Sequence, residues 1–190
     1  MNLLGDVELD ARGMRALAHP VRLAILRRLR EHGSSTATRL APHVGASPSV
    51  TSWHLRHLAE HGLVEDAPRK GQGRQRWWRA VGRGFRFDVD AADPQAAEAL
   101  RDALEETEGD LIGEWLRDTR PLLEPEWVAV STRWNTGVVA TADELRRLEE
   151  AIEELLAPLA NREPGDAPLG SRRVRILRHT LASADEVDRG

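Results

Sequence analysis

The sequence predicts a mainly α-helical protein with a small β-hairpin, and three observations support this fold class. Apolar residues recur at helical spacing behind prolines that suit the first turn of a helix. Further along, two short apolar segments flank a loop rich in glycine and basic residues, which is the pattern of a β-hairpin. The composition then turns from basic to acidic, so we expect a second, α-rich region.

Two helices are predicted near the start of the chain. Pro20 suits a first helical position because its φ is preset and it has no amide hydrogen to leave unpaired. The apolar face behind it consists of Val21, Leu23, Ala24, Ile25, Leu26 and Leu29. Gly33 is expected to end this helix. Ser35 or Thr36 is expected to cap the second helix, whose regular length is limited by Pro42.

A third helix is predicted to begin at Ser47 and Pro48, which suit the N-cap and the first helical position, and to end at Gly62. At ~100° per residue, its buried side consists of Thr51, Leu55, Leu58 and Ala59. Its exposed side consists of Ser49, Trp53, Arg56 and Glu60, flanked by Val50 and His57.

Residues 63–64 and 75–81 are predicted to form two strands joined by a turn-rich loop at 68–73. Trp77 and Trp78 would point to opposite faces, so we expect one beneath the loop and the other partly exposed. Helix, helix, turn, helix and hairpin is the order of elements in a winged helix-turn-helix. We place this domain at residues 11–85.

The rest of the chain is predicted to form a helical domain at residues 93–182, after a glycine-punctuated linker at 81–93. Residues 127–140 fit either a short helix or a strand, and residues 173–180 fit an edge strand. Between these segments, Thr141 and Glu144 have the spacing of a capping box, which predicts a strong helix. We therefore expect a dimerisation domain, with effector binding as an open alternative.

Composition excludes several classes of protein. The chain has 190 residues and no cysteine, which excludes disulfides, zinc fingers, iron–sulfur clusters and thiol nucleophiles. The first ten residues are acidic and lack the features of a signal peptide, and no apolar run approaches the ~20 residues needed to span a bilayer. We therefore expect a cytoplasmic protein.

The charge is divided unevenly along the chain. Residues 12–87 contain 15 basic and four acidic side chains, a net charge of +11, although the whole chain carries −4. The rest therefore carries −15. A basic block joined to an acidic block indicates that the first block meets a polyanion. An arginine-rich surface that is merely solvated would give the same pattern.

The exposed side of the third helix suits the major groove of DNA. Small residues at its start let the backbone approach closely, and longer side chains then reach base edges or phosphates. Arg56 can fork onto a guanine or onto a phosphate. Trp53 is an unusually large apolar residue for an exposed position, although it could also contact a dimer partner or pack under the loop. The candidate DNA-binding residues of this helix are Ser47, Ser49, Ser52, Trp53, Arg56 and His57.

The hairpin loop is the second candidate for DNA contact. Its basic residues are Arg69, Lys70, Arg74 and Arg76, which surround two glycines. Such a loop can follow a phosphate backbone or place an arginine in a narrow minor groove. We find no acidic residue to pair with this cluster, so its charges would repel one another without a polyanion.

Metal binding and catalysis are not predicted. His54, His57 and His61 share a helix, but their directions spread around it and only Glu60 joins them, so packing, capping and phosphate contacts are the expected roles. The chain has no glycine-rich phosphate loop, nucleophile elbow or HExxH motif. We therefore expect a protein without a cofactor that is not an enzyme.

The acidic half contains a candidate effector pocket. Trp115, Trp127 and Trp134 could line a site for a small apolar molecule, and Arg133 could hold an anionic group of it. The alternative is that these residues form the core or a dimer contact.

Three segments together resemble one family, the ArsR-type winged-helix repressors. These are LAHPVRLAIL at 17–26, SPSVTSWHLRHL at 47–58 with GLV at 62–64, and GRQRWWR at 73–79. Each segment alone is weakly specific, but all of them occur in order and at the right spacing. The resemblance covers residues 11–85, and the longer second half is similar to a subgroup with an appended helical domain.

The resemblance implies a homodimer, a palindromic operator and repression that a signal relieves. It also implies that the helix holding Ser49, Ser52, Trp53 and Arg56 is the recognition helix and that the loop at 69–76 is the wing. The chain lacks the cysteine pair of the metal-sensing members, so thiolate sensing of arsenic or cadmium is excluded. The alternative function is a winged-helix protein-interaction module whose acidic domain binds a partner.

Overall fold

The computed structural model describes residues 2–68, 75–87, 93–109, 111–133, 135–162 and 164–184. The chain divides into two compact units, residues 1–123 and residues 124–190. The predicted fold class is confirmed, because short helices dominate and the strands are few and small.

The first unit begins with helices and small strands. Its elements up to the hairpin are β1 (Val7–Glu8), α1 (Ala11–Leu17), α2 (Pro20–His32), β2 (Ser35–Thr36), α3 (Ala37–Leu40), α4 (Pro48–Glu60), β3 (Val64–Asp66) and β4 (Trp77–Ala80). A 3-10 turn at Ala41–His43 continues α3, as expected from Pro42, which cannot donate the hydrogen bond of a regular helix. The remaining elements of this unit are β5 (Phe85–Arg86), α5 (Pro94–Glu108), α6 (Leu111–Glu114), a π-helical turn at Trp115–Thr119 and a 3-10 turn at Arg120–Leu122.

The predicted hairpin is the core of a three-stranded antiparallel sheet in the order β2-β4-β3. Val64 faces Ala80 in this sheet, and Thr36 faces Trp77. Strand β2 was not predicted, because two residues are too few to show an alternating pattern. Pairing of β2 with β4 ties the start of α3 to the hairpin.

The prediction for the two adjacent tryptophans was wrong. Trp77 and Trp78 are both buried, at 7% and 2% exposed. They do alternate across the strand, but the sheet is covered on both sides at this point: the guanidinium of Arg39 lies 4.9 Å from the Trp77 ring and that of Arg76 lies 4.0 Å from the Trp78 ring. Trp78 belongs to the hydrophobic core of the unit, whereas Trp77 is covered by the Arg39 guanidinium.

The segment predicted as a linker contains part of a second sheet. Its strand β5 pairs in parallel with β1, so that Val7 faces Phe85 and Glu8 faces Arg86. The sequence predicted no structure for the first ten residues. Pairing of β1 with β5 makes them part of the first unit.

The core of the first unit gathers apolar residues from every helix between α1 and α5. Its largest fully buried apolar side chains are Met14, Leu17, Ile25, Leu26, Leu40, Leu55, Leu58, Leu63 and Leu100. Because α5 contributes Leu100 and packs on α1 and α2, the first unit continues past residue 85 to residue 123. The division into functional domains at 11–85 and 93–182 stays a prediction.

The second unit is built around one long helix. Its elements are α7 (Pro125–Val130), α8 (Ala142–Ala160) and a 3-10 turn at Pro164–Asp166. The capping box is confirmed: the Thr141 hydroxyl accepts from the Glu144 amide at 3.2 Å, and the Glu144 carboxylate accepts from the Thr141 amide at 2.8 Å. The edge strand predicted at 173–180 is absent from the described residues of this unit, since that segment has no strand partner there.

None of the helices formed by the described residues has the length and apolar character needed to cross a bilayer.

Gly82 and Gly62 provide a matched pair for testing the packing of β1. Both have positive φ, +70° and +67°. A Cβ at Gly82 would lie 2.8 Å from the Gly5 carbonyl oxygen and 2.8 Å from Cγ2 of Val7, whereas a Cβ at Gly62 would meet none of the described atoms within 4 Å.

We expect Gly82→Ala to lower the free energy of unfolding by about 2–4 kcal/mol, because a backbone clash adds to the left-handed conformation. Gly62→Ala should cost only about 1 kcal/mol, since strain of the left-handed region is its whole effect. Urea unfolding followed by circular dichroism measures both. Equal costs would show that the Gly82 contact with β1 contributes nothing.

Candidate nucleic-acid interface

The helix predicted for recognition is α4, and its first turn is built as the sequence indicates. The Ser47 hydroxyl accepts from the Val50 amide at 3.3 Å and lies 3.0 Å from the Ser49 hydroxyl. Gly45, at φ +64°, makes the turn between the 3-10 segment and this helix. The start of α4 therefore presents the Ser47 and Ser49 hydroxyl groups at the positive end of the helix dipole, which suits an anionic partner.

The two sides of α4 also follow the prediction. Thr51, Leu55 and Leu58 are completely buried. Ser47, Ser49, Trp53 and Arg56 are exposed, while Ser52 and His57 are half-buried. Trp53 is 53% exposed and Val50 is 45% exposed, so the outward side carries apolar surface that no described residue covers. Apolar surface on an exposed recognition helix is suited to thymine methyl groups.

Trp53 is held in place by histidines. Its ring stacks on the His57 ring at 5.6 Å with an angle of 9° between the planes, and it meets the His54 ring edge-on at 4.9 Å. His57 in turn contacts the His61 ring at 4.9 Å. These contacts orient the indole without burying it, so a large rigid surface is presented to solvent.

Beneath Trp53, His54 connects α4 to the start of α2. It is 4% exposed, and its ring lies 4.7 Å from the ring of His19, whose Nδ1 accepts from the Val21 amide at 3.1 Å. Burial, with the neighbouring His19, Arg22 and His57, lowers the pKa of His54 to about 4. His54 is therefore neutral at pH 7, and its buried Nδ1 has no hydrogen-bond partner among the described residues.

Two arginines at the second strand of the hairpin pair with acids of its first strand. Arg76 donates to Asp66 through Nε at 2.5 Å and Nη2 at 2.8 Å, and Arg79 donates to Glu65 through Nε at 2.8 Å. The hydrogen bonds from Arg76 lower the pKa of Asp66 below its usual value. The expectation that no acid pairs with the basic cluster was therefore wrong at Arg76. Arg69, Lys70 and Arg74 lie outside the described residues.

Among the described residues, no three His, Asp or Glu side chains come close enough to hold an ion. His57 instead lies 3.7 Å from a carboxylate oxygen of Glu60.

The residues of the candidate effector pocket fall into separate units. Trp115 is half-buried in the first unit, whereas Trp127 and Arg133 belong to the second, and Trp134 lies outside the described residues. The ring of Trp127 has a neighbour of its own, the Arg172 guanidinium at 5.4 Å. An effector pocket formed by these residues stays a prediction.

The comparison with family models agrees with this geometry. A model described as a helix-turn-helix domain matches residues 17–67, which run from the end of α1 through β3. Among curated proteins, none matches this chain. The chain therefore contains a helix-turn-helix domain, an element of DNA-binding regulators of transcription.

Several residues of the site were missed or underestimated from the sequence. Asp66 was counted only as a charge, and Thr38 and Gln75 were not considered, although the structure brings both to the Arg56 side of α4. Asp66 lies in β3, and its pairing with Arg76 depends on the register of β3 against β4, which no local pattern gives. The contact of His19 with His54 joins residues far apart in the chain, so no local pattern could predict it.

Proposed function

We propose that this protein is a sequence-specific transcriptional repressor of the ArsR type, which binds a palindromic operator as a homodimer. The observation that carries the proposal is the outward side of α4, the second helix of the helix-turn-helix. The hydroxyl groups of its first turn, Arg56 and the half-exposed Trp53 all lie on this side. The net charge of +11 on residues 12–87 supports a polyanionic partner. Phosphate contacts would supply most of the affinity, and α4 would supply the selectivity.

Selection from a pool of random duplexes tests this proposal. The full chain should enrich one motif, and a homodimer should enrich two inverted half-sites whose centres lie one helical turn of DNA apart, roughly 10 base pairs. Retention of random sequence after several rounds would contradict the proposal. It would favour the alternative, a winged-helix module that docks a protein.

The surface of the second unit supports self-association of the chain. None of its described residues is buried, and Leu148, Leu155 and Leu159 form an exposed apolar row on α8. Units that bury so little apolar surface are seldom stable alone. In an antiparallel pair of α8 helices, Arg146 and Arg147 of one copy would lie beside Glu153 and Glu154 of the other, which favours self-association.

We expect the wild type to be a dimer by light scattering, and Leu148→Glu with Leu155→Glu to give a monomer, because two carboxylates would be buried in the contact. Leu169→Glu is the matched control, since this leucine is fully exposed in a loop and its change should leave the dimer intact. A dimer that survives the double substitution would place the contact elsewhere.

A further inference from the structure

A small open notch lies between α4, the start of α3 and the base of the hairpin. Its volume is about 150 Å³, and its lining includes Thr38, Ser52, Arg56, Gln75, Arg76 and Trp78. Two of them are guanidinium groups, and three others carry a hydroxyl or an amide N–H. None of the lining side chains is acidic. The notch therefore offers hydrogen-bond donors and positive charge to one small group, and such donors suit a tetrahedral oxyanion.

The side chain of Arg56 turns toward this notch. Its Nη1 donates to the Ser52 hydroxyl at 2.9 Å, four residues back on the same edge of α4. Trp53 and His57 lie on the other edge, where their rings stack. The outward side of α4 thus has two edges, one polar and basic and one aromatic. The aromatic edge of α4 and its first turn are therefore the parts of the helix that can contact DNA bases.

Arg76 is fixed in place from two directions. Asp66 binds its Nε and Nη2 atoms, and the guanidinium lies over the Trp78 ring at 4.0 Å. No described residue accepts from its Nη1, so this atom keeps its donors for a further acceptor. An arginine that is already immobile loses little entropy when it binds, which strengthens its contact with an anion.

We propose that this notch holds one phosphate of the DNA backbone, with Arg56 and Arg76 as its two charged contacts. The inference rests on the proposed function, and it assigns Arg56 to the backbone rather than to a base. Selectivity then falls to Trp53 and to the hydroxyl groups of the first turn of α4.

Arg79 is a matched control for Arg76. Both lie in or directly before β4, both pair with an acid of β3, and their side chains are 57% and 54% exposed. Only Arg76 lines the notch. Substitution of either by glutamine removes the same charge from the same hairpin.

The test measures the affinity of the full chain for its selected duplex and for a scrambled duplex over a salt series. Arg76→Gln and Arg56→Gln should each weaken both duplexes by about tenfold and lower the salt slope by about 1. Arg79→Gln should change affinity by less than about twofold, because its long-range charge is screened. The bases selected by Arg56→Gln should be those selected by the wild type.

A methylphosphonate scan of the operator then locates the phosphate. One neutralised position should weaken the wild type but not the variant that carries Arg56→Gln and Arg76→Gln together. Equal effects of Arg76→Gln and Arg79→Gln, or a changed base preference in Arg56→Gln, would contradict phosphate binding in the notch. Neither result would contradict DNA binding itself. Failure of the wild type to bind any duplex would overturn the proposed function as well, so the two failures are distinguishable.

Discussion

Replacing Trp53 with alanine should lower the preference for the operator over a scrambled duplex by about 10- to 100-fold, which corresponds to the loss of one good base contact. The reason is geometric: the indole is 53% exposed, is oriented by His54 and His57, and lies on the edge of α4 that faces away from the notch. Affinity for the scrambled duplex should change little, because the substitution removes no charge. Fluorescence anisotropy with both duplexes measures the ratio.

Trp53→Phe is the control for this prediction, since it keeps an aromatic ring on the same stack. It should retain most of the selectivity. The melting temperature of Trp53→Ala should stay close to that of the wild type, because so much of the side chain is already in water. An unchanged operator preference in Trp53→Ala would show that the indole has another role, such as a contact with a second copy.

Acidification should destabilise the first unit through His54. In the folded protein the pKa of this residue is lowered to about 4, whereas the unfolded chain has the ordinary value of 6.5. Between these values the unfolded state binds the extra proton, so stability is complete above pH 6.5 and is lost as the pH falls toward 4. Between pH 8 and pH 5 the loss from this one residue is about 2 kcal/mol.

A comparison with His54→Leu isolates this effect. The titratable neighbours that act on His54 are His19, which caps α2, Arg22 of α2 and His57 of α4, and all of them remain in the variant. Urea unfolding at pH 8 and pH 5 should therefore show a pH dependence that is about 2 kcal/mol shallower in His54→Leu than in the wild type. Parallel changes in the two proteins would contradict burial of a neutral His54.

The fold of the first unit was largely predictable because its signals are local. Pro20 and Pro48 at helix starts, and Gly33 and Gly62 at positive φ, bound α2 and α4 where the sequence predicts. The short strands β1, β2 and β5 were missed, since two residues carry no periodic pattern and each depends on a partner distant in the chain. Tertiary pairing, not propensity, forms these strands.

Helix α4 was predictable to the level of single side chains, whereas the hairpin was not. The 3.6-residue period places Thr51 inside and Trp53 outside without any knowledge of the partner element. The pairing of Arg76 with Asp66, by contrast, depends on the register of β3 against β4, which sets Asp66 opposite Trp78. Register is fixed by the packing of the whole sheet, so a pattern of charges along the sequence cannot supply it.

Selective binding of DNA by the outward side of α4 can be measured in a salt series of anisotropy titrations. The full chain would be titrated with a duplex from the region upstream of its own coding sequence and with a scrambled duplex. We expect the upstream duplex to bind ~10³-fold more tightly than the scrambled one, and both affinities to fall steeply with salt. Weak, equal binding of the two duplexes, together with no sequence enriched from a random pool, would contradict it.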